Sequence, residues 1–297
     1  MKLNIDTLFF SGGGLNCFSH LGCLKYLIEL GGITPNLEGI DNIISVSGGT
    51  IIVLPLLLGY SFDETYNILN DYNIKKNIKI NKLKDIIKGD GVYLNNIIID
   101  FIKTLLINKS YDPDITLREL YLKTNKNLLL KVYNIYKSII VYVSHENYPD
   151  IKLHTAIYMS AAAPMIFKPI RYGNQLFCDG GVGGCFPYEK LTDKKYKKYM
   201  GFWITGNNRD ISGNTYNSFK KSEYNNMIDY LSMIYDGYGY VIKRNKSQRN
   251  RIIMIHTIGT GLNLNENKSK RKTFMNGYDS IKIHFKNIIE DEINRED

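Results

Sequence analysis

The sequence predicts an α/β fold with a mostly parallel central sheet in a three-layer α/β/α arrangement. Near the amino terminus, short apolar runs typical of buried strands end at glycine-containing turns, and each is followed by a helix-like segment. A strand, a tight turn and a helix repeated in this order are typical of parallel α/β proteins. The chain of 297 residues is long enough to bury a large core.

The first strand is predicted at Leu8–Phe10, because this apolar run ends at a glycine cluster. Apolar residues then recur at helical spacing from Leu15 to Leu30, and two glycines follow as a C-terminal cap. A second strand is predicted at Ile43–Val46 and a second helix at Gly48–Gly59. We expect this helix to be bent or broken at Pro55, because proline lacks the N–H that a helix uses.

Residues 61–127 are rich in Asn and Lys with helical stretches, and we expect an insertion that covers the sheet. The chain has no internal repeat and no Pro/Ser linker, so we expect one domain, with the core at residues 7–190 and residues 191–297 completing it. The other predicted elements are a hairpin or two strands at Leu128–Val143, a small-residue helix from Thr155 to Pro164, strands at Gln175–Cys178, Tyr199–Thr205 and Arg251–Thr257, and a helix at Asn225–Lys243.

The chain is basic, with 38 Lys and Arg against 29 Asp and Glu and a formal charge of +9. Such a charge favours nucleic acid, an anionic membrane surface or an anionic substrate as partner. No RNA-recognition, zinc-finger or helix-turn-helix motif accompanies it, so no nucleic-acid partner is expected. A solvated surface also explains the three lysine-rich sets, which lie at Lys75–Lys88, Lys194–Lys198 and Lys268–Lys272.

The four cysteines include no CxxC pair, and the amino terminus lacks the features of a signal peptide. We therefore expect an intracellular protein without a disulfide framework. The most apolar window, Thr50–Gly59, is too short to span a bilayer, so a soluble or peripherally membrane-associated protein is expected. No residues have metal-ligand spacing, and neither a metal nor a cofactor is expected.

Ser47 lies in the segment Ser-Val-Ser-Gly-Gly at 45–49, between the second predicted strand and the second predicted helix. A nucleophilic serine on such a turn requires small neighbours, which Ser45 and Gly49 provide. The following helix directs its N-terminus at the site and favours negative charge there. Ser45 replaces the first glycine of the G-x-S-x-G pattern, and the alternative is an ordinary serine-glycine turn.

Gly12, Gly13 and Gly14 precede the first predicted helix, so their N–H groups can converge on an anion. A dinucleotide fingerprint fails at Cys17, and a Walker loop fails because no Gly-Lys-Ser/Thr follows. What remains is an oxyanion hole, which stabilises the negative charge that develops during acyl transfer.

Asp179 lies between a short apolar strand and Gly180-Gly181, which holds its carboxylate at a strand end. A carboxylate serves as a base near neutral pH when burial raises its pKa, and Phe177 and the apolar run provide such surroundings. The alternative is an ordinary β-turn aspartate.

These three motifs, in this order, resemble the patatin-like phospholipase family, whose members carry a G-G-G-x-R/K-G loop, a G-x-S-x-G serine and a D-G-G/A aspartate. The stretch LFFSGGGLNCFSHLGCLKYLIELG resembles the family's opening strand, loop and helix. The stretch AIYMSAAAPMIFKPIRYGNQLFCDGGVGGCFP resembles the approach to its aspartate. The resemblance implies the patatin-like fold and hydrolysis of lipid acyl esters by a Ser–Asp dyad. Ser47 is then the nucleophile, Asp179 the base, and the oxyanion loop consists of Gly12, Gly13 and Gly14.

The chain departs from the family pattern at Asn16, where the family has a basic residue, and at Cys17, where it has glycine. A catalytically impaired lipid-binding relative and an acyltransferase using the same serine are the alternatives. His256 offers a Ser-Asp-His triad, and His145 with Asp150 matches the H-x4-D spacing of glycerolipid acyltransferases. The expected partners are a phospholipid or other acyl-lipid substrate and, peripherally, a membrane surface.

Overall fold

The computed structural model describes residues 3–72, 82, 91, 96–205, 250–257 and 267–296. In this part of the chain the strands are β1 (Thr7–Phe10), β2 (Asn42–Val46), β3 (Asn127–Asn134), β4 (Ile139–Val143), β5 (Ile170–Tyr172), β6 (Gln175–Asp179), β7 (Tyr199–Thr205) and β8 (Ile252–His256). The helices are α1 (Ser19–Glu29), α2 (Gly48–Leu57), α3 (Phe62–Asp71), α4 (Asn96–Asn108), α5 (Leu117–Thr124), α6 (Leu153–Ala161) and α7 (Asn267–Glu296).

The described strands form an eight-stranded sheet in the order β5-β6-β3-β2-β1-β7-β8, with β4 also paired to β3. The run from β3 through β2, β1 and β7 to β8 is parallel, whereas β4, β5 and β6 pair in antiparallel fashion. The loops that follow β1 and β2 therefore emerge at one edge of the sheet, where open α/β sheets bind their ligands. The predicted α/β fold with a mostly parallel central sheet is confirmed.

The length of β3 decides which residues meet at that edge. One side of β3 pairs with β4, and the other side pairs first with β2 and then with β6. The last residue of β2, Val46, lies opposite Lys131, and the last residue of β6, Asp179, lies opposite Val132. The ends of β2 and β6 therefore approach each other from opposite directions along the same side of β3.

Alternate residues of the strands build a core on each face of the sheet. Leu8 and Phe10 belong to the larger cluster, which also contains buried residues of most of the helices. Phe9, between them, points to the other face and packs against Phe186 and Tyr199, with ring centroids 6.2 and 5.3 Å away. This alternation follows from the two-residue period of a strand. Among the described residues, the second face is covered by the segment from Phe186 to Tyr196.

Helix α7, which the sequence did not predict, packs closely against α1. Two glycines permit the approach, one on each helix. A Cβ atom on Gly22 would lie 1.9 Å from the carbonyl oxygen of Phe274, and one on Gly277 would lie 1.8 Å from that of Ser19. The two backbones are therefore closer than any larger residue at these positions allows.

Lys270 joins α7 to α3. Its ammonium group donates hydrogen bonds of 2.6 to 2.9 Å to three carbonyl oxygens at the end of α3, those of Leu69, Asn70 and Tyr72. The carbonyls of a last helical turn have no partner within their helix, and a cation there also interacts favourably with the helix dipole. Lys270 thus has a structural role, although the sequence places it in a lysine-rich set.

Several element predictions are confirmed, whereas a break of α2 at Pro55 is not. The hairpin at Leu128–Val143 is present as β3 and β4, and Tyr199–Thr205 is β7. Pro55 does not break α2, which continues through it to Leu57. Because Pro55 lies in the last turn, its missing N–H removes only one hydrogen bond shortly before the helix ends. Strand β5 was not predicted, and the helix expected at Asn225–Lys243 lies outside the described residues.

Substitution of Gly277 by alanine should lower the free energy of unfolding by at least about 2 kcal/mol, because the new methyl group meets backbone that cannot rotate away. Urea denaturation followed by circular dichroism measures the change. Asp279→Ala, at an exposed position on the same helix, is the control and should change stability by less than about 0.5 kcal/mol. Equal stability of both variants would mean that α1 and α7 do not pack this closely.

Candidate active site

Ser47 occupies the turn between β2 and α2 in a backbone conformation that L-residues rarely adopt. Its φ is 53° and its ψ is −130°, a strain on the order of 1–3 kcal/mol. The adjacent residues must be small, because a Cβ on Gly48 would lie 2.7 Å from the carbonyl oxygen of Gly14, and one on Gly49 2.4 Å from that of Ser11. The turn leaves Ser47 half-buried at the N-terminus of α2, where the helix dipole favours negative charge.

The Ser47 hydroxyl donates a hydrogen bond of 2.6 Å to Oδ2 of Asp179. The other carboxylate oxygen, Oδ1, accepts the N–H of Gly181 at 2.7 Å. Asp179 is only 4% exposed. Burial raises the pKa of its carboxyl to about 6, although the hydrogen bonds from Ser47 and Gly181 and the charge of Lys131 act in the opposite direction. Asp179 is therefore mostly ionised at neutral pH and is more basic than an exposed aspartate.

Ser160, near the end of α6, holds the backbone of the Ser47 turn. Its hydroxyl oxygen accepts the N–H of Ser47 at 3.1 Å, and its O–H donates to the carbonyl of Lys131 at 2.8 Å. The residue is fully buried. The sequence shows the small-residue segment around Ser160, but the role of this hydroxyl depends on a contact with a residue 113 positions away.

The glycine loop after β1 lies against the Ser47 turn. A Cβ on Gly12 would be 3.1 Å from the Cβ of Ser47. The N–H of Gly12 donates to the carbonyl of Cys185 at 2.7 Å, so this amide already has an acceptor. Within the described ranges, the amides of Gly13 and Gly14 have no acceptor, and both residues are half-exposed. These two amides are the donors that remain for an anion.

Lys131 lies fully buried beneath the loop that follows Asp179. Burial lowers the pKa of its ammonium group, and the carboxylate of Glu189 opposes this effect. The ammonium donates at 2.9 to 3.2 Å to three carbonyl oxygens and one carboxylate, those of Gly183, Gly184, Phe186 and Glu189. The same loop supplies the Cys185 carbonyl that accepts the Gly12 N–H. Lys131 thereby connects the Asp179 turn with the glycine loop.

Lys131 was not identified from the sequence, although a signal is present. It is the one charged residue in the apolar run Leu128–Tyr133, where a charge is costly to bury unless it is paired. A lysine at such a position indicates a buried partner. The identity of that partner depends on the tertiary structure.

The alternative mechanisms rely on His256 or on His145 with Asp150. Strand β8, which ends at His256, is three strands away from β2, or roughly 14 Å at the usual strand spacing. The side chain of His256 lies outside the described part of the structure. His145 stacks on Tyr121, with ring centroids 3.8 Å apart, and Asp150 forms an ion pair with Arg118.

The buried thiols beside the site are not activated. Burial raises the pKa of Cys17, and it raises the pKa of Cys178 to about 12, so both remain protonated at neutral pH. In the described residues, no group of three or more His, Cys, Asp or Glu side chains is arranged to hold a metal ion. No helix in the described ranges is long and apolar enough to cross a membrane.

Comparison with known proteins identifies relatives of this chain. The family model of patatin-like phospholipases matches residues 8–191. A protein named probable lipid hydrolase 463L, from Invertebrate iridescent virus 6, is 32% identical over 203 residues, which are 67% of this chain and 68% of that protein. An uncharacterized protein R571 from Acanthamoeba polyphaga mimivirus is 26% identical over 287 residues, which are 94% of this chain and 93% of that protein.

Solved structures share the fold at low sequence identity. VipD from Legionella pneumophila superposes with a TM-score of 0.60 and 14% identity, over 95% of this chain and 67% of VipD. ExoU from Pseudomonas aeruginosa, solved in complex with SpcU, superposes with a TM-score of 0.51 and 13% identity, over 96% of this chain. The match spans about half of the ExoU chain, 52% of its length.

Substitution of Asp179 by asparagine should stabilise the protein above pH 6. Because burial raises the pKa of Asp179 from 3.8 to about 6, the folded state binds the proton more tightly than the unfolded state. Native stability is therefore highest with the carboxyl protonated and falls as pH rises through 6, by about 3 kcal/mol. Asparagine avoids this loss. Urea denaturation should show that the Asp179→Asn protein is more stable than the unsubstituted protein at pH 8 and that their free energies of unfolding are closest at pH 4. A difference in stability that does not change with pH would contradict the raised pKa.

Substitution of Lys131 by methionine should lower the free energy of unfolding by about 2–4 kcal/mol, because the methionine stem fits but buried carbonyls lose their donor. Thermal and urea denaturation measure the loss. Lys195→Met removes the same charge from an exposed ion pair with Glu146 and should cost less than about 1 kcal/mol. If both variants lose the same stability, Lys131 does not hold the loop.

Proposed function

Because this chain belongs to the patatin-like phospholipase family, we propose that it hydrolyses fatty-acyl esters of phospholipids or related lipids through a Ser47–Asp179 dyad. Family membership supports ester hydrolysis in general. The name of the viral relative, probable lipid hydrolase, supports an acyl lipid as the substrate. The reaction proceeds through an acyl-serine intermediate on Ser47.

One observation carries this proposal: the hydrogen bond of 2.6 Å from the Ser47 hydroxyl to a buried carboxylate whose pKa is about 6. A serine hydroxyl becomes a good nucleophile when a base takes its proton during attack. A base with a pKa near 6 is ionised at neutral pH and is still basic enough to take part in proton transfer. The strained turn holds the hydroxyl toward this base before any substrate binds.

In the acylation step, Ser47 Oγ attacks the carbonyl carbon of the ester while its proton passes to Asp179. The carbonyl oxygen becomes an oxyanion, which the amides of Gly13 and Gly14 and the N-terminus of α2 stabilise. The tetrahedral intermediate then collapses and breaks the ester C–O bond. Asp179 returns the proton to the departing alkoxide oxygen, so the alcohol leaves neutral and the acyl group stays on Ser47.

In the deacylation step, a water molecule takes the place of the alcohol. As the water oxygen attacks the acyl carbon, Asp179 accepts one proton from the water. The same amides stabilise the second oxyanion. Collapse breaks the bond to Ser47 Oγ, which recovers the proton from Asp179, and the fatty acid is released. One carboxylate thus serves both steps, alternately as base and acid.

We propose that fewer glycines form the oxyanion hole than the three predicted from the sequence. We assign the oxyanion hole to Gly13 and Gly14, and we give Gly12 the role of anchoring the loop, because its N–H is held by the Cys185 carbonyl. Gly12 contributes by its lack of a side chain, which lets the loop approach Ser47.

We also propose that residues 191–297 complete the same domain as residues 7–190. Strand β7 pairs with β1 in the middle of the sheet, and β8 extends the sheet beyond it. Helix α7 packs on α1, which follows the glycine loop. The core at residues 7–190 would lose these contacts if it were expressed alone.

Ser47→Ala should abolish ester hydrolysis and labelling by a fluorophosphonate probe, because the attacking oxygen is gone. Asp179→Asn should remove hydrolysis about as completely, because the amide cannot accept the proton.

In the unsubstituted protein, hydrolysis should fall as the pH drops below about 6, where Asp179 becomes protonated. A short-chain soluble ester and a panel of phospholipids measure these activities.

Two control variants keep this test specific. Ser45→Ala should retain labelling, because Ser45 is fully buried and shares a hydrogen bond of 2.8 Å with Thr50. His256→Ala should retain hydrolysis. An inactive but folded His256→Ala protein together with an active Asp179→Asn protein would disprove the dyad. Transfer of the acyl group to an added alcohol in preference to water would make the enzyme an acyltransferase.

A further inference from the structure

Two turns lie side by side beyond the end of β2, and both expose large apolar or aromatic side chains. The first turn joins β3 to β4, and the second joins β5 to β6. They are adjacent because β3 pairs with β6, and the N–H of Ile135 donates to the carbonyl of Leu176 at 2.8 Å. The exposed fraction is 54% for Tyr136, 48% for Ile139 and 36% for Tyr172.

The exposed charged residues on and near these turns are all basic. Lys137 lies in the first turn, Arg171 lies in β5 next to the second turn, and Lys168 lies two residues before β5. The guanidinium of Arg171 lies 5.6 Å from the ring centroid of Tyr136. No Asp or Glu occurs in residues 130–145 or in residues 151–178. We call these six residues the hairpin-tip surface: Tyr136, Lys137, Ile139, Lys168, Arg171 and Tyr172.

The hairpin-tip surface lies at the same edge of the sheet as the Ser47–Asp179 pair. Val46, which precedes Ser47, is level with Lys131, and Asp179 is level with Val132. The first turn begins after Asn134, so the tips stand roughly 10 Å further along β3. Another exposed side chain, that of Met165, follows three residues after Ala162, whose carbonyl accepts the N–H of Asp179.

Two of the lysine-rich sets found in the sequence contain described residues that are placed less favourably for binding an anionic surface. Lys194–Lys198 directly precede β7, at the edge of the parallel strands opposite to Ser47. Within this set, Lys195 forms an ion pair with Glu146 at 2.8 Å. Lys270, of another set, is bound to the carbonyls at the end of α3. Net charge alone therefore does not identify the face that meets an anionic surface.

We propose that the hairpin-tip surface docks on a lipid bilayer that contains anionic headgroups. Tyrosine has an apolar ring and a polar hydroxyl, which suit the boundary between headgroups and acyl chains. Lysine and arginine are attracted to anionic headgroups. Docking by the tips brings the edge that carries Ser47 toward the bilayer. The proposal rests on the proposed function, because a lipid hydrolase must reach acyl esters held in a membrane.

Vesicle co-sedimentation of the Ser47→Ala protein tests the docking surface without substrate turnover. The probes are phosphatidylcholine vesicles with and without phosphatidylserine, across a salt series. Lys137→Gln/Lys168→Gln/Arg171→Gln should weaken binding to the anionic vesicles about a hundredfold at low salt, or about fivefold for each charge. Tyr136→Ser/Ile139→Ser/Tyr172→Ser should weaken binding at both low and high salt, because apolar contact is not screened.

The matched control is Lys194→Gln/Lys197→Gln/Lys198→Gln, which removes the same charge from exposed positions at the opposite edge. Its binding should change less than threefold. Equal loss in the two charge variants, or no preference for anionic vesicles, would overturn the proposal. Thermal unfolding establishes that each variant is folded. Hydrolysis of a soluble short-chain ester tests the proposed function separately. If the protein binds vesicles through the tips but cleaves no ester, the docking proposal stands and the Ser47–Asp179 dyad is disproved.

Discussion

The extra length of β3 is the constraint on which the site depends. β3 continues past the end of β2, and the free backbone groups there pair with β6, which runs in the opposite direction. The last residues of β2 and β6 are therefore held next to each other by backbone hydrogen bonds. Neither the Ser47 turn nor the Asp179 turn has to find its partner through a flexible loop, so the 2.6 Å contact between them is built into the sheet.

A second constraint is the buried ammonium group of Lys131. An unpaired charge in the interior is costly, and this one has four oxygen acceptors from the segment after Asp179. The carbonyl of Lys131 accepts a hydrogen bond from Ser160, which in turn holds the Ser47 amide. Lys131 thus restrains the backbone next to Ser47 and the backbone that follows Asp179. These hydrogen bonds set the orientation of the backbone groups, which apolar packing alone would not do, because the hydrophobic effect is non-directional.

Several features of the site lower the stability of the folded protein, and the rest of the fold must offset this loss. Ser47 has a strained φ, Asp179 carries a charge in a place that favours its neutral form, and Gly13 and Gly14 leave amides without acceptors among the described residues. In the proposed mechanism each cost is also a preparation for catalysis, because the strain exposes the hydroxyl, burial makes the carboxylate basic, and open amides can receive an oxyanion. Catalytic groups are commonly arranged at the expense of stability.

The sequence by itself determined the fold class, most strand positions and the three motifs, because local spacing of apolar residues and glycines sets strands, helices and tight turns. It also indicated which residue types belong to acyl transfer. Only the tertiary structure decided that Asp179 meets Ser47, that Gly12 is held by Cys185, and that Lys131 and Ser160 support the site. These contacts join residues far apart in the chain, and strand register places them. Local patterns do not encode register between distant strands, so the partners of Lys131 and the position of α7 were beyond prediction.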